Sequence, residues 1–375
     1  MSPNSTPVLQ ALTSLRGIAA ILVMCHHFMF VLMPDIGYLV PSKLFYKSYL
    51  WVDLFFILSG FVLAYVYQTT FSSGFTRRDY RVFMQTRFAR IYPLHFFVLT
   101  LFVGFEGIQL LLAELELESM SNLAVPFTGD ESSETIITNL LLLQTLHWTA
   151  YWNQPAWSIS AEWIIYFTLP FAMRWLLPFA HTRPLTLAAF ALLPLVAIEW
   201  HFGDLGLHYA GWPMLIRCFC EACLGLLAFR CYQLGLFQKI TTANLITPVL
   251  ILNLVFLTLP GPGVISVVGF TWLVLCAAHL SDRQNHFLNH RALTYLGTIS
   301  YSIYLIHWLV MDVVRDCVAF FTGATVSETF QLPEQLAIMS ILIVIVIGIS
   351  HFTYHRVEAP MRHRLKPSCP TQDRT

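Results

Sequence analysis

The sequence predicts an all-α, polytopic integral membrane protein of about ten transmembrane helices with both termini cytoplasmic, and three observations predict it. Hydrophobic residues make up 57% of the 375-residue chain and charged residues 11%, against roughly 45–50% and about 25% in an ordinary soluble domain. So little charge does not coat a soluble surface. The apolar residues fall in blocks of about 20, the length that crosses a hydrocarbon core of about 30 Å. Arginines collect in alternate short loops, which marks those loops as cytoplasmic. Lys plus Arg equals Asp plus Glu at 21 each, so no overall basic excess argues for nucleic acid.

Apolar runs at 12–33, 49–70, 91–113, 160–179, 184–202, 211–230, 243–260, 263–280, 292–314 and 335–355 are each long enough to be a span, and 135–147 is a shorter run. Arg77, Arg78, Arg81, Arg87 and Arg90 follow the second span. They place that loop, and with it the N-terminus, in the cytoplasm. The stretch 114–134 has no Lys or Arg and is expected outside. Arg174 and Arg183 return the chain to the cytoplasm, which allows a single crossing after residue 134. The run 135–147 is therefore read as an interfacial or re-entrant piece. The loop near 203–210 then falls outside, Arg230 and Lys239 inside, the Pro-Gly turn at 260–263 outside, and Arg283 and Arg291 inside. The tail with Arg356, Arg362, Arg364 and Lys366 is expected inside; Arg315, beside Asp316 at an outer end, is the exception.

This gives a cytoplasmic tail over 1–11, one transmembrane domain over 12–357 and a basic cytoplasmic tail over 358–375. The first span lacks a preceding basic segment and reads as a retained helix rather than a cleaved signal peptide. No attached soluble domain, internal repeat or low-complexity tract is expected. Most of the eight cysteines sit in predicted helices, where cysteine behaves as a small hydrophobe. In the cluster Cys218, Cys220 and Cys223 the middle residue points away from the others, and no nearby His completes a ligand set, so no metal is expected.

Ionisable residues inside spans are costly and face a cavity or a partner. In the first span Arg16 and His27 are 11 apart, about three turns plus roughly 20°, so they share a face with an axial separation of roughly 16 Å. Ala20 and Val23 keep the stripe between them narrow. The alternative reading has Arg16 snorkelling to the headgroups and His27 merely hydrogen-bonded in the bundle. Asp53, in the second span, is expected at the depth of His27, where a carboxylate on one ring nitrogen raises basicity at the other; otherwise it caps its helix.

Arg87 and Arg90, at i and i+3, share a helical face at the mouth of the third span, and guanidinium forks suit phosphate oxygens. Positive-inside anchoring is the alternative. Trp157, Ser158, Ser160 and Glu162 enter a span from the outer side, with Trp148, Tyr151 and Trp152 nearby, a set suited to a sugar or to an aromatic belt. Ser300, Tyr304 and His307 line one face of a later span. Arg217 and Glu221, at i and i+4, read as a structural ion pair.

Taken in order, these segments resemble the acyltransferase-3 family of bacterial integral-membrane O-acyltransferases. The resemblance is carried by Leu12 to Ala20 running on to His27, by Val52 to Phe61, by Arg87 to Pro93, by Trp157 to Glu162, by Leu296 to His307 and by Glu358-Ala359-Pro360. It implies a ten-helix bacterial inner-membrane protein that moves an acyl group, typically acetyl, from cytoplasmic acyl-coenzyme A to a hydroxyl of a carbohydrate, glycolipid or small-molecule acceptor, as in polysaccharide O-acetylation. The family's Arg-x10-His pair falls on Arg16 and His27, and its Arg-x-x-Arg pair on Arg87 and Arg90. Two departures stand out. The chain ends 15 residues after Pro360, so no fused extracytoplasmic domain is expected, and Glu162 is followed by Trp163 where a second polar residue is usual.

The expected site therefore has His27 as general base, oriented by Asp53 or Glu162, with Arg16, Arg87 and Arg90 on the donor. Trp157, Ser158, Ser160, Tyr304 and His307 are expected on the acceptor. The competing function is a transporter or flippase of a lipid-linked or anionic sugar, although the halves carry no corresponding broken helices.

Overall fold

The computed structural model describes residues 9–39, 43–72, 74–115, 119, 123–147, 152–203, 206, 207 and 211–367. Trp148, Tyr151, Cys369 and the outer parts of both tails lie outside the described residues. Helix forms at every long apolar run: α1 (Gln10–His27), α2 (Trp51–Phe71), α3 (Arg77–Glu114), α4 (Ala156–Tyr166), α5 (Leu169–Phe179), α6 (Pro184–Phe202), α7 (Pro213–Gln233), α8 (Ile246–Thr258), α9 (Gly263–Ala278), α10 (Arg291–Thr298), α11 (Ser300–Thr322) and α12 (Leu332–Thr353). No strand occurs among the described residues.

Six helical segments among the described residues are long and apolar enough to cross a membrane: those beginning at Gln10, Lys43, Arg77, Pro184, Gln238 and Leu332. The chain is thus an all-α membrane protein. The other expected spans depart from that standard for physical reasons. The run 160–179 divides at Phe167 and Thr168, ahead of Pro170, whose ring clashes with the carbonyl four residues back. Helix α7 carries Arg217, Glu221 and Arg230. Helix α9 has 16 residues, about 24 Å of rise against a hydrocarbon core of about 30 Å. The run 292–314 breaks at Ile299, between α10 and α11, and α11, although 23 residues long, carries Asp312, Arg315 and Asp316.

The segment 135–147 forms a five-residue helix, Ile136–Leu140, and a short 3-10 turn. It is tied to its neighbours by polar contacts. His95 of α3 meets the Asn139 carbonyl at 2.8 Å, Thr145 Oγ1 donates to the Trp157 carbonyl at 2.6 Å, and Gln144 Nε2 donates to the Ala156 carbonyl at 3.1 Å.

Two glycine contacts set how the site-bearing helices are rotated. A Cβ on Gly17 of α1 would stand 2.6 Å from the Gly297 nitrogen of α10. On α2, a Cβ at Gly60 would collide with the Ala222 carbonyl of α7, and one at Gly225 of α7 would come within 2.7 Å of the Phe61 nitrogen. Such backbone-to-backbone approach is how small residues join helices in a membrane. One large apolar core lies among α2, α7 and α9; a second joins the end of α1 to α11 and α12 through Phe28, Ile303, Met311 and Leu342. Two π-turns interrupt the regular ladder, Phe28–Leu32 directly after His27 and Tyr354–Glu358 at the end of α12. Such turns often occur at functional sites.

Candidate active site

The cavity is built from one face of each of several helices. On α2, Phe55, Ser59 and Val62 fall at i, i+4 and i+7, one face by helical geometry. Together with Arg16 of α1, Arg87 and Arg90 of α3, Glu162 and Tyr166 of α4, and Ser300, Tyr301 and Tyr304 of α11, they enclose a cavity of about 120 Å³. Its charges are unevenly matched. Arg90 pairs with Glu358, stands 5.3 Å from the Tyr301 ring, and Glu358 also accepts from Ser302 Oγ at 2.9 Å. Glu162 accepts from Ser59 Oγ at 2.5 Å. Arg87 donates to the Tyr67 hydroxyl at 3.5 Å, and its guanidinium lies over the rings of Tyr67, at 5.6 Å, and Phe83, at 6.0 Å.

Among the described residues, no carboxylate, carbonyl or hydroxyl accepts a hydrogen bond from Arg16, which feels Arg90, Glu162 and Glu358 only at longer range. Three guanidiniums thus face two carboxylates, leaving the cavity one positive charge in a low-dielectric setting.

Beyond Phe55 and Tyr304, whose rings stand 5.8 Å apart, lies a pair of imidazoles. His27 Nδ1 is 2.9 Å from His307 Nε2, and the rings are within 12° of parallel with centroids 5.1 Å apart. They meet edge to edge. Trp308 stands edge-on to His27 at 5.1 Å, and Tyr304 lies 6.0 Å from His307. Tyr304 therefore belongs to both the cavity and the imidazole pair. Its hydroxyl shares a 2.9 Å hydrogen bond with Ser158 Oγ.

Several expected placements are corrected. Asp53 does not orient His27: its Oδ1 accepts from Nε and Nη2 of Arg217. Arg217 is 1% exposed, stands 3.5 Å from Glu221 and donates to the Leu207 carbonyl at 2.7 Å. The reason is rotational. Asp53 and Gly60 are seven residues apart, within about 20° on a helix, so the Gly60 contact that seats α2 on α7 also turns Asp53 toward α7. Glu162 likewise bonds Ser59 and not His27. Ser160 faces away from the cavity, donating to the Leu142 carbonyl at 2.8 Å and accepting from the Thr145 nitrogen at 3.1 Å. Trp157 packs on Phe56 and lies 5.7 Å from the Arg217 guanidinium.

Sequence reasoning passed over Ser59 as a cavity residue and Glu358 as the partner of Arg90. The i+4 relation of Ser59 to Phe55 was a usable signal. No spacing rule links positions 90 and 358.

The helices and the cavity define a multi-pass membrane protein with a basic chamber; His27 and His307 are not among the residues that line it, and Tyr304, which does, stands 6.0 Å from His307. A family model described as an acyltransferase domain matches residues 9–353, and the chain belongs to that acyltransferase-3 family; it is a membrane acyltransferase. Protein 2 in the picA locus of Rhizobium radiobacter is 32% identical over 165 residues, 41% of this chain and 76% of that protein. Acyltransferase MdmB of Streptomyces mycarofaciens is 32% identical over 129 residues, 33% of this chain but only 28% of MdmB. No solved structure matches the chain.

Proposed function

We propose that this acyltransferase takes an acyl group, acetyl in the first instance, from cytoplasmic acyl-coenzyme A and transfers it to a hydroxyl of a carbohydrate or related acceptor. It does so in a bacterial inner membrane, through ten crossings with both ends in the cytoplasm. The observation that carries the proposal is Arg16. It lies on the same helix as His27, opens into a cavity with excess positive charge, and has no hydrogen-bonding acceptor among the described residues. A cation held this way favours an anion, and planar guanidinium groups suit phosphate oxygens.

In this reading Arg16 and Arg87 hold the donor's phosphates, and Arg90, neutralised by Glu358, positions rather than charges the site. The acyl-bearing arm runs past Phe55 and Tyr304 toward His27. His27 removes the proton of the acceptor hydroxyl as general base. The oxygen attacks the thioester carbonyl, the carbon–sulfur bond breaks, and the leaving thiolate takes the proton back from His27, giving ester and free coenzyme A. No acyl-enzyme is required. Ser158, Tyr304 and the ring of Trp308 border the acceptor, and Glu162 limits the positive charge of the chamber.

The test is coenzyme A binding by the purified protein, followed by calorimetry. Arg16→Gln removes a charged hydrogen bond worth about 1.5–3 kcal/mol, so binding weakens by roughly 10–100-fold. An Arg16→Gln protein that binds coenzyme A as tightly as the parent overturns the assignment.

A further inference from the structure

We infer that His307 is a positioning residue that fixes the tautomer of His27 and stabilises its cation during proton transfer. The inference rests on the reading of His27 as general base. It starts from a backbone carbonyl. His307 Nδ1 lies 3.1 Å from the carbonyl oxygen of Ile303, one turn back on α11. A carbonyl only accepts, so the proton of that contact is on His307 Nδ1. His307 is fully buried, and no carboxylate bonds to it among the described residues, so nothing holds it as an imidazolium. A neutral ring with its proton on Nδ1 has its lone pair on Nε2.

The 2.9 Å contact to His27 then has one polarity. His27 Nδ1–H donates to His307 Nε2, and the lone pair of neutral His27 falls on Nε2. That is the atom a general base needs, and the edge-to-edge arrangement of the rings aligns the donor with the acceptor. When His27 Nε2 takes the acceptor's proton, His27 becomes an imidazolium whose Nδ1–H stays hydrogen-bonded to His307 Nε2. The positive charge is then stabilised by the His307 lone pair, with the Ile303 carbonyl accepting from the far end. Return of the Nε2 proton to the thiolate restores the neutral His27 ring, so the cycle balances in protons. The role a carboxylate takes in a Ser-His-Asp site, orienting the imidazole and stabilising its cation, falls here to a second histidine. Asp53, the carboxylate expected to orient His27, is bound to Arg217 instead.

The discriminating pair of variants is His307→Gln and His307→Phe. A glutamine oxygen reaches the place of Nε2 and accepts from His27 Nδ1; phenylalanine fills the volume and accepts nothing. Two readouts are used on the full-length protein in lipid nanodiscs. Nitrogen-15 NMR of histidine-labelled protein, with His27 assigned by its loss in His27→Gln, reports the tautomer without depending on activity. His27 carries its proton on Nδ1 in the parent and in His307→Gln, and exchanges between tautomers in His307→Phe.

Steady-state assays with acetyl-coenzyme A and an acceptor glycan report the consequence. His307→Phe lowers kcat by at least roughly 10-fold and at most about 10⁴-fold, the loss when a general-base imidazole is left in the wrong tautomer, with the donor KM unchanged, and His307→Gln recovers most of that loss. A parent protein with His27 protonated on Nε2 overturns the inference, as does an equal loss in both variants. If His27→Ala is inactive while His307→Phe turns over normally, His27 remains the base and His307 has no positioning role. If His27→Ala is active, the general-base reading itself fails, and the NMR result still decides the tautomer.

Discussion

Replacing Arg217 with methionine strands two carboxyl groups inside the bundle. The guanidinium is 1% exposed, it is the shared partner of Asp53 and Glu221, and its Nη1 supplies the Leu207 carbonyl. Methionine fills a similar volume and donates nothing. Removing one partner of a buried ion pair costs about 3–5 kcal/mol, whereas replacing the whole group with uncharged side chains of similar size is often close to neutral. Arg217→Met is therefore expected to lose about 3–5 kcal/mol, and Arg217→Met combined with Asp53→Asn and Glu221→Gln to regain most of it.

Unfolding in detergent micelles, titrated with dodecyl sulfate and followed by tryptophan fluorescence, measures both. Because Asp53 sits on Arg217 and not on His27, the folded triple variant is also expected to turn over at close to the parental kcat. The reasoning is refuted if Arg217→Met costs under about 1 kcal/mol, the scale of an exposed pair. It is equally refuted if the triple variant is no more stable than the single one. A stable Asp53→Asn protein with kcat lowered about 100-fold would return Asp53 to the base-orienting role.

Two further predictions follow from packing and titration. Gly60→Ala places a methyl against the Ala222 carbonyl and is expected to cost about 1–3 kcal/mol by overpacking the α2–α7 contact, read in the same unfolding assay; an unchanged midpoint would show that the two backbones are not in contact. In the α3–α4 loop, burial first, with Glu106 and Asp130 adding to it and Arg315 opposing, raises the Glu131 carboxyl to about 7. The folded chain then keeps a proton that an unfolded carboxyl loses near its ordinary value of about 4.3. The stability this group contributes is complete below that value and is lost as pH rises through about 7. Hydrogen-exchange protection across 125–135 is expected to fall between about pH 4 and pH 7 in the parent and to stay level in Glu131→Gln; a level parent profile would contradict it.

Where helical phase alone decides, the site was legible. Arg16 lines the chamber and His27 meets His307, and Ser300, Tyr304 and His307 follow one face of α11, the first two on the chamber and the third on His27. What the phase of a single helix does not contain is which neighbour that face meets. Asp53 meets Arg217 and not His27, although Gly60, on its own face, and Gly225, on the helix of Arg217, together carried the answer. Glu358 approaches Arg90 from 268 positions away through a π-turn, an irregularity that no periodicity announces. The break at Thr168 was announced by Pro170, yet the surrounding run reads as continuous because the flanking residues are all apolar.

Release of free coenzyme A thiol from acetyl-coenzyme A by the purified protein, with an acceptor glycan present, tests most directly whether His27 is the base. The parent is expected to release thiol in step with ester formation, and a normally folded His27→Ala protein to release it at least about 100-fold more slowly, the low end of what a positioned base contributes. Equal release by His27→Ala and the parent would contradict that role.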